Sequence, residues 1–301
     1  MTAAELLANV RRIEVRTNRL VNDTMVGAYL SHFKGRGMDF EELREYIPGD
    51  EVRDIDWNVS YRMGRPFVKR YREERELALV LAVDISASSA FGSVRRSKRQ
   101  FAAEIAATLA ISAARSSDKV ALLLFSDQVE LFLPPRKGRR HLLRLIRETL
   151  VFEPKRRQTN IPGALAFLNH VLHRRSMVFL LTDFLHNFGA AASGRNTLQE
   201  LGLTNARHDL VCLHLHDPRE GALPPAGLLT IEDAETGELL ELDSSRAGVR
   251  EQYAVTNAQR LAELDRALRR AGVDTLRFGT TEDFAPTLQR FFETRRGRRR
   301  G

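Results

Sequence analysis

Five oxygen-bearing side chains stand where a chain can gather them: Asp84, Ser86 and Ser88 in VLAVDISASSAFG (residues 80–92), Thr159 in RRQTNIPGAL, and Asp183 in SMVFLLTDF. In the first stretch an apolar run stops at an acid, and two hydroxyls follow at alternate positions, where they can turn to one side. Two carboxylates brought to one rim repel each other unless a cation or a shared proton offsets their charge. Because every donor is an oxygen, the fitting cation is a hard divalent ion, Mg2+ or else Mn2+ or Ca2+. Hydroxyls are neutral ligands, so such an ion keeps net positive charge and an open position suited to a carboxylate from a partner. A plainer account stays open for each residue alone: either serine can cap a following helix, and Asp183 can be a turn residue at a strand end.

Enzymatic readings of the same acid fare less well. Haloacid-dehalogenase-type phosphatases begin DxDx[TV] and use the second Asp as acid and base; here that position is Ser86, so the general acid is missing. No GxSxG nucleophile elbow and no GxxxxGK[ST] phosphate loop occurs, and GRG at 35–37 is too short to serve as one. A hydrolase using the ion as a Lewis acid remains an alternative, although no base near the rim is nominated. The expectation is therefore a non-enzymatic module. His214 and His216 alternate on one strand and, with no third ligand, read as a strand face.

The elements that must position these residues follow from hydrophobic periodicity. LALVLAVD (77–84), KVALLLFS (119–126), SMVFLLTD (176–183) and DLVCLHLHD (209–217) are near-continuous apolar runs, as strands covered on both faces require. VELFLP (129–134) follows its predecessor too closely for a parallel crossover and must be a hairpin partner. Helical spacing covers 97–116, 138–149, 162–173, 247–271 and 284–294, and a last strand covers 274–278. GLLTIEDAETGELLELD (227–243) reads as an inserted hairpin near an edge, turning at Glu235-Thr236-Gly237. Alternating strands and helices imply an α/β domain, mostly parallel, over 76–295, with helices on both faces. Ligands of such sheets sit outside the carboxyl ends of the strands, where the strand order reverses. Before this domain, residues 1–75 combine helical spacing over 2–30 with a small irregular lobe of short strands. After it, residues 296–301 form a basic tail.

The chain has 301 residues, 43% of them hydrophobic, and a net charge of +8. A lone Cys212 precludes an internal disulfide, and no run approaches the ~18 apolar residues of a membrane span; a cytoplasmic location is expected. The excess charge is local: residues 91–157 hold 15 basic and 6 acidic groups, and RRGRRR at 295–300 adds five arginines. An acidic protein surface is the partner this favours. Nucleic-acid binding through the same face is the alternative, without the interleaved aromatics that stacking uses.

DISAS, TNIPGA and LLTDF together resemble the metal-ion-dependent adhesion site of von Willebrand factor A domains, in which DxSxS, a threonine and an aspartate meet from three loops. Carried over, Asp84, Ser86 and Ser88 match the first loop, Thr159 the second and Asp183 the third; the first loop departs at Ser89, where Met or a similar residue is usual. The preceding GRGMDFEELREYIPGDEVRDIDWNVSYRMGRPFVKRYREE is similar to the signature of the bacterial domain-of-unknown-function-58 proteins, which place it directly before such a domain. The resemblance implies a Rossmann-like von Willebrand A fold. It also implies a MoxR-type AAA+ ATPase as partner in chaperone-like assembly. Within the signature, Arg44, Arg53 and Arg62 alternate with acids, and Tyr46 and Trp57 add amphipathic rings. That lattice either locks the lobe onto the main sheet or offers Arg44, Tyr46, Arg53 and Trp57 to a partner.

Overall fold

The computed structural model describes residues 38–73, 78–94, 96–185 and 196–298. The helical pattern of 2–30 and the end of the arginine run, 299–301, lie outside them.

The lobe is more regular than its sequence suggests. Strand β1 (Met38–Glu45) pairs antiparallel with β2 (Phe67–Glu73) through a bulge between Phe40 and Glu42. Between them a short helix, Trp57–Met63, starts on Asp56, whose carboxylate accepts from the Asn58 and Val59 amides, and stops at Gly64 in the left-handed region at φ +67°. MDFEELRE lacks the apolar alternation that marks a strand, which is why β1 is absent from the sequence reading. The ion pairs Arg44–Asp50, Arg65–Glu45 and Lys69–Asp56 lie within the lobe.

The main sheet contains β3 (Ala78–Asp84), β4 (Lys119–Phe125), β5 (Val129–Arg136), β6 (Met177–Thr182) and β7 (Asp209–His216). A separate hairpin of β8 (Leu228–Glu232) and β9 (Leu239–Asp243) follows, and then β10 (Asp274–Gly279) completes the sheet. Its spatial order is β10-β7-β6-β3-β4-β5, parallel throughout except for β5 against β4. Numbered along the chain, the six strands run 3-2-1-4-5-6, the doubly wound order, so connections leave β3 and β6 in opposite directions and open a crevice between their carboxyl ends. This is the Rossmann-like von Willebrand A architecture that the resemblance implied.

Side-chain alternation explains the layers. Leu79, Leu81 and Val83 of β3 pack on one face with Phe101, Phe284 and Phe292, while Val80 and Ala82 pack on the other with Leu165, Leu168 and Leu264. Each such fully buried Leu or Phe stabilises the fold by about 1.5–3 kcal/mol. Helices Lys98–Arg115, Arg139–Val151 and Ala285–Arg298 cover the first face; Ile161–Val171, Thr197–Arg207 and Ala247–Arg270 cover the second. Thr197–Arg207 was not foreseen, yet β6 and β7 are parallel neighbours and need a crossover between them. The last helix continues through Arg298, so the first four residues of RRGRRR lie inside it. No described helix is long and apolar enough to cross a membrane.

Ser97 starts the helix that lies beneath the site. Its hydroxyl accepts from the Gln100 amide, and the Gln100 side chain accepts from the Ser97 amide, a reciprocal capping box. Ser97→Ala is expected to lower stability by about 1 kcal/mol in urea unfolding. A loss near zero would mean that packing alone sets this helix start.

Candidate functional site

β3 is buried to its end because β4 and β6 flank it, and the polar group at that end must find partners inside the protein. Asp84 is only 4% exposed. One carboxylate oxygen accepts from the Ser86 amide at 2.9 Å, and the other accepts from the Thr182 hydroxyl, at the end of β6, at 2.7 Å. Ser86 does stand at the start of a short 3-10 turn, Ala87–Ala90, but its hydroxyl makes no capping bond. It lies 3.1 Å from the Ser88 hydroxyl, and Ser88 is one of the groups that help hold Asp183 ionised. Ser89 holds the turn, donating to the Ser86 carbonyl at 2.7 Å. Capping therefore does not explain the two serines.

Asp183 follows β6 directly, and the next residue, Phe184, takes a left-handed backbone at φ 50°. For a bulky residue that conformation costs about 1–2 kcal/mol. Burial of its ring, edge-on to His214 at 5.8 Å between centroids, holds it there. The reversal lets one Asp183 oxygen accept from the Leu185 amide at 3.1 Å.

The other Asp183 oxygen receives the Lys98 ammonium at 2.6 Å. A basic residue therefore stands at the rim and offsets part of the charge of the two acids. Lys98 is the first residue of its helix and only 2% exposed, and its ammonium also bonds Glu220 on the turn after β7. Burial works against that charge, but Asp183 and Glu220 outweigh it and keep the ammonium above its ordinary value. Burial also pushes Asp183 upward, yet Lys98 prevails and holds it below the usual carboxylate range. Asp84 has no such partner. Burial, and then the charge of Asp183, push it up to about 7.

Thr159 comes in on a third loop. The Arg157 carbonyl accepts from the Ala87 amide at 2.9 Å, and the Asn160 amide donates to the Ser126 carbonyl at 2.8 Å, which ties this loop to the ends of β3 and β4. Asn160 then caps the helix Ile161–Val171 through the Gly163 amide. The Thr159 hydroxyl itself donates to Glu235 at 2.8 Å, on the tip of the β8–β9 hairpin. Asp84, Ser86 and Ser88 are thus directly linked, Asp183 acts on Asp84 through its charge, and Thr159 bonds Glu235, which lies in the field of Asp183 and Lys98.

The donor chemistry fits a hard cation. Asp84, Asp183 and Glu220 are three acids against one ammonium, so with all of them ionised the cluster carries two negative charges in excess, which one divalent ion neutralises. A cavity of about 10 Å3, room for one water-sized sphere, is lined by Asp84, Lys98, Thr182 and Asp183 among others. Among the described residues no three His, Cys, Asp or Glu side chains converge as a ligand set; an ion here would depend on the hydroxyls. His214 and His216 share a strand face with ring centroids 5.8 Å apart, and the Nδ1 atom of each has no hydrogen-bond partner.

Of the residues nominated in the lobe, Arg44 is engaged with Asp50 at 2.6 Å and Tyr46 is half-buried, whereas Arg53 is exposed and Trp57 is 65% exposed. Tyr61, Met63, Ile47 and Val52 are exposed beside them in the sequence.

The family described as "Protein of unknown function DUF58" matches residues 42–263. An uncharacterized protein of Mycobacterium tuberculosis is 29% identical over 294 residues, 97% of this chain and 90% of the relative. Another, of Mycobacterium avium, is 31% identical over 168 residues, 54% of this chain and 94% of the relative. Among solved structures, an aerotolerance-related membrane protein of Bacteroides fragilis aligns with TM-score 0.48 and 14% identity over 74% of this chain and 99% of that one. The VWA domain of SpRpn10 aligns with TM-score 0.35 and 10% identity, covering 71% and 93%.

Proposed function

The chain belongs to the DUF58 family, and from that premise we propose that it is a non-enzymatic protein-binding module that holds a divalent cation at its rim and uses it to take a carboxylate from a partner. Asp84, Ser86, Ser88, Thr159 and Asp183 would hold the ion, Mg2+ by preference, with Mn2+ or Ca2+ able to replace it. The ion supplies a focused positive charge for an acidic side chain to meet. The chain's own residues do the rest: Lys98 keeps Asp183 ionised, Thr182 and the Ser86 amide aim Asp84, and the doubly wound order brings both acids to one crevice. The observation that carries this reading is that Asp84 and Asp183 stand at the ends of two adjacent parallel strands, with Asp84 held by the Ser86 amide and the Ser86 and Ser88 hydroxyls 3.1 Å apart beside them.

The partner we propose is a MoxR-type AAA+ ATPase, with chaperone-like assembly in the cytoplasm as the shared task. The basic residues of 91–157 favour an acidic face on that partner and speed its approach. Trp57, exposed as Arg53 is, offers a second contact of the type that dominates interface energies.

Titration of the ATPase against wild type and Asp84→Ala tests this, with Mg2+ present in both arms so that the ATPase is in the same nucleotide state. Binding about tenfold weaker or worse, a difference of about 1.4 kcal/mol, is expected for the variant. Equal affinities overturn the reading.

A further inference from the structure

Resting on the cation reading above, we propose that Glu235 is the chain's own carboxylate for this site, so that the β8–β9 hairpin holds the place of a partner's acidic side chain until the partner displaces it. Three observations converge on Glu235. Its carboxylate accepts from the hydroxyl of Thr159, a residue of the candidate ligand set, at 2.8 Å. It lies near enough to Asp183 and Lys98 to interact with both charges. It is also presented by a turn shaped for the purpose: Asp233 accepts from the Glu235 amide at 2.9 Å and the Thr236 amide at 2.8 Å, and Gly237 closes the turn at φ +76°. Glycine meets that left-handed requirement without strain.

The hairpin is attached in a way that permits release. None of the residues of β8 and β9 is fully buried, and Leu228, Leu239 and Leu240 are well exposed. A segment with so little buried surface belongs to the least stable part of a fold. Besides Glu235, its described grip on the Thr159 loop is the pair Arg157–Glu232 at 3.5 Å, whose side chains are both more than half exposed and screened by solvent. A second carboxylate presented by a partner with a larger interface would compete for the same position. Partner affinity would then be lowered by the fraction of molecules in which the hairpin is closed.

Mn2+ used as the probe ion, followed by water-proton relaxation, reads both ion binding and the water that the bound ion retains. Wild type, Glu235→Ala, Glu235→Gln and Asp84→Ala are compared. In wild type the bound ion is expected to be shielded and insensitive to added acetate. In Glu235→Ala, and less strongly in Glu235→Gln, relaxation rises as water takes the vacated position and falls again when acetate enters. Wild-type binding with the same relaxation and acetate response in Glu235→Ala overturns the role of Glu235 and leaves the cation reading standing. Failure of Mn2+ to bind wild type, or equal binding by Asp84→Ala, overturns the cation reading and the Glu235 proposal with it.

Discussion

Replacing Lys98 with Met is expected to lower stability in divalent-free buffer by about 3–5 kcal/mol, the cost of leaving buried acids without their counter-charge. Lys98 is 2% exposed, and its ammonium bonds both Asp183 and Glu220. Methionine fills much of the space of the stem and removes only the charge, so packing changes little. The same variant sharpens the electrostatic account of the site. With the ammonium gone, the rim holds more uncompensated negative charge, and saturating Mg2+ should raise the melting temperature of Lys98→Met by more than it raises that of wild type. Guanidinium unfolding in EDTA measures the first effect, and thermal unfolding with and without Mg2+ measures the second. A variant as stable as wild type in EDTA would show that the Lys98 ammonium is not needed to neutralise the acids.

Asp84→Asn should act in the opposite direction. In the folded protein burial, and then the charge of Asp183, raise Asp84 from an ordinary 3.8 to about 7. Across that window the native state binds a proton that the unfolded chain has released, so this group's contribution makes stability fall as pH rises. Asparagine cannot ionise and removes the slope, while its carbonyl can still accept from the Ser86 amide. In divalent-free buffer, wild type should therefore lose a few kcal/mol relative to the variant between about pH 4 and pH 7, and Asp84→Asn should be the more stable protein at pH 8. Added Mg2+ should narrow or reverse that order, because only wild type offers the ion a second carboxylate. Parallel stability curves for the two proteins across this range would mean that Asp84 does not carry the buried charge assigned to it.

How far the sequence reveals this arrangement depends on what sets each feature. The inner strands are legible because a strand covered on both faces must be apolar along its whole length, as Leu79–Val83 and Met177–Leu181 are. Asp84 and Asp183 stand out for the same reason, as acids ending such runs, and DxSxS singles out Ser86 and Ser88. Lys98 is not legible: a lysine in the first turn of a helix reads as solvated, and only the position of that helix under the crevice buries it. Glu220 and Glu235 are hidden likewise, the second lying 76 residues from the threonine it meets. β1 escapes notice because its strand is charge-rich and, among the described residues, pairs only with β2. The serine hydroxyls remain ambiguous in the sequence, since capping and ligand roles use the same residue at the same place. The 3.1 Å approach of Ser86 to Ser88, with no capping bond, removes the capping reading of Ser86.

The central claim is that this rim takes up one divalent ion through Asp84 and its neighbours. Calorimetric titration of Mg2+ into wild type and Asp84→Ala tests it most directly. Wild type is expected to take up one ion per chain, and the variant none over the same concentrations. Wild type that takes up no ion, or a variant that takes it up as tightly, would contradict it.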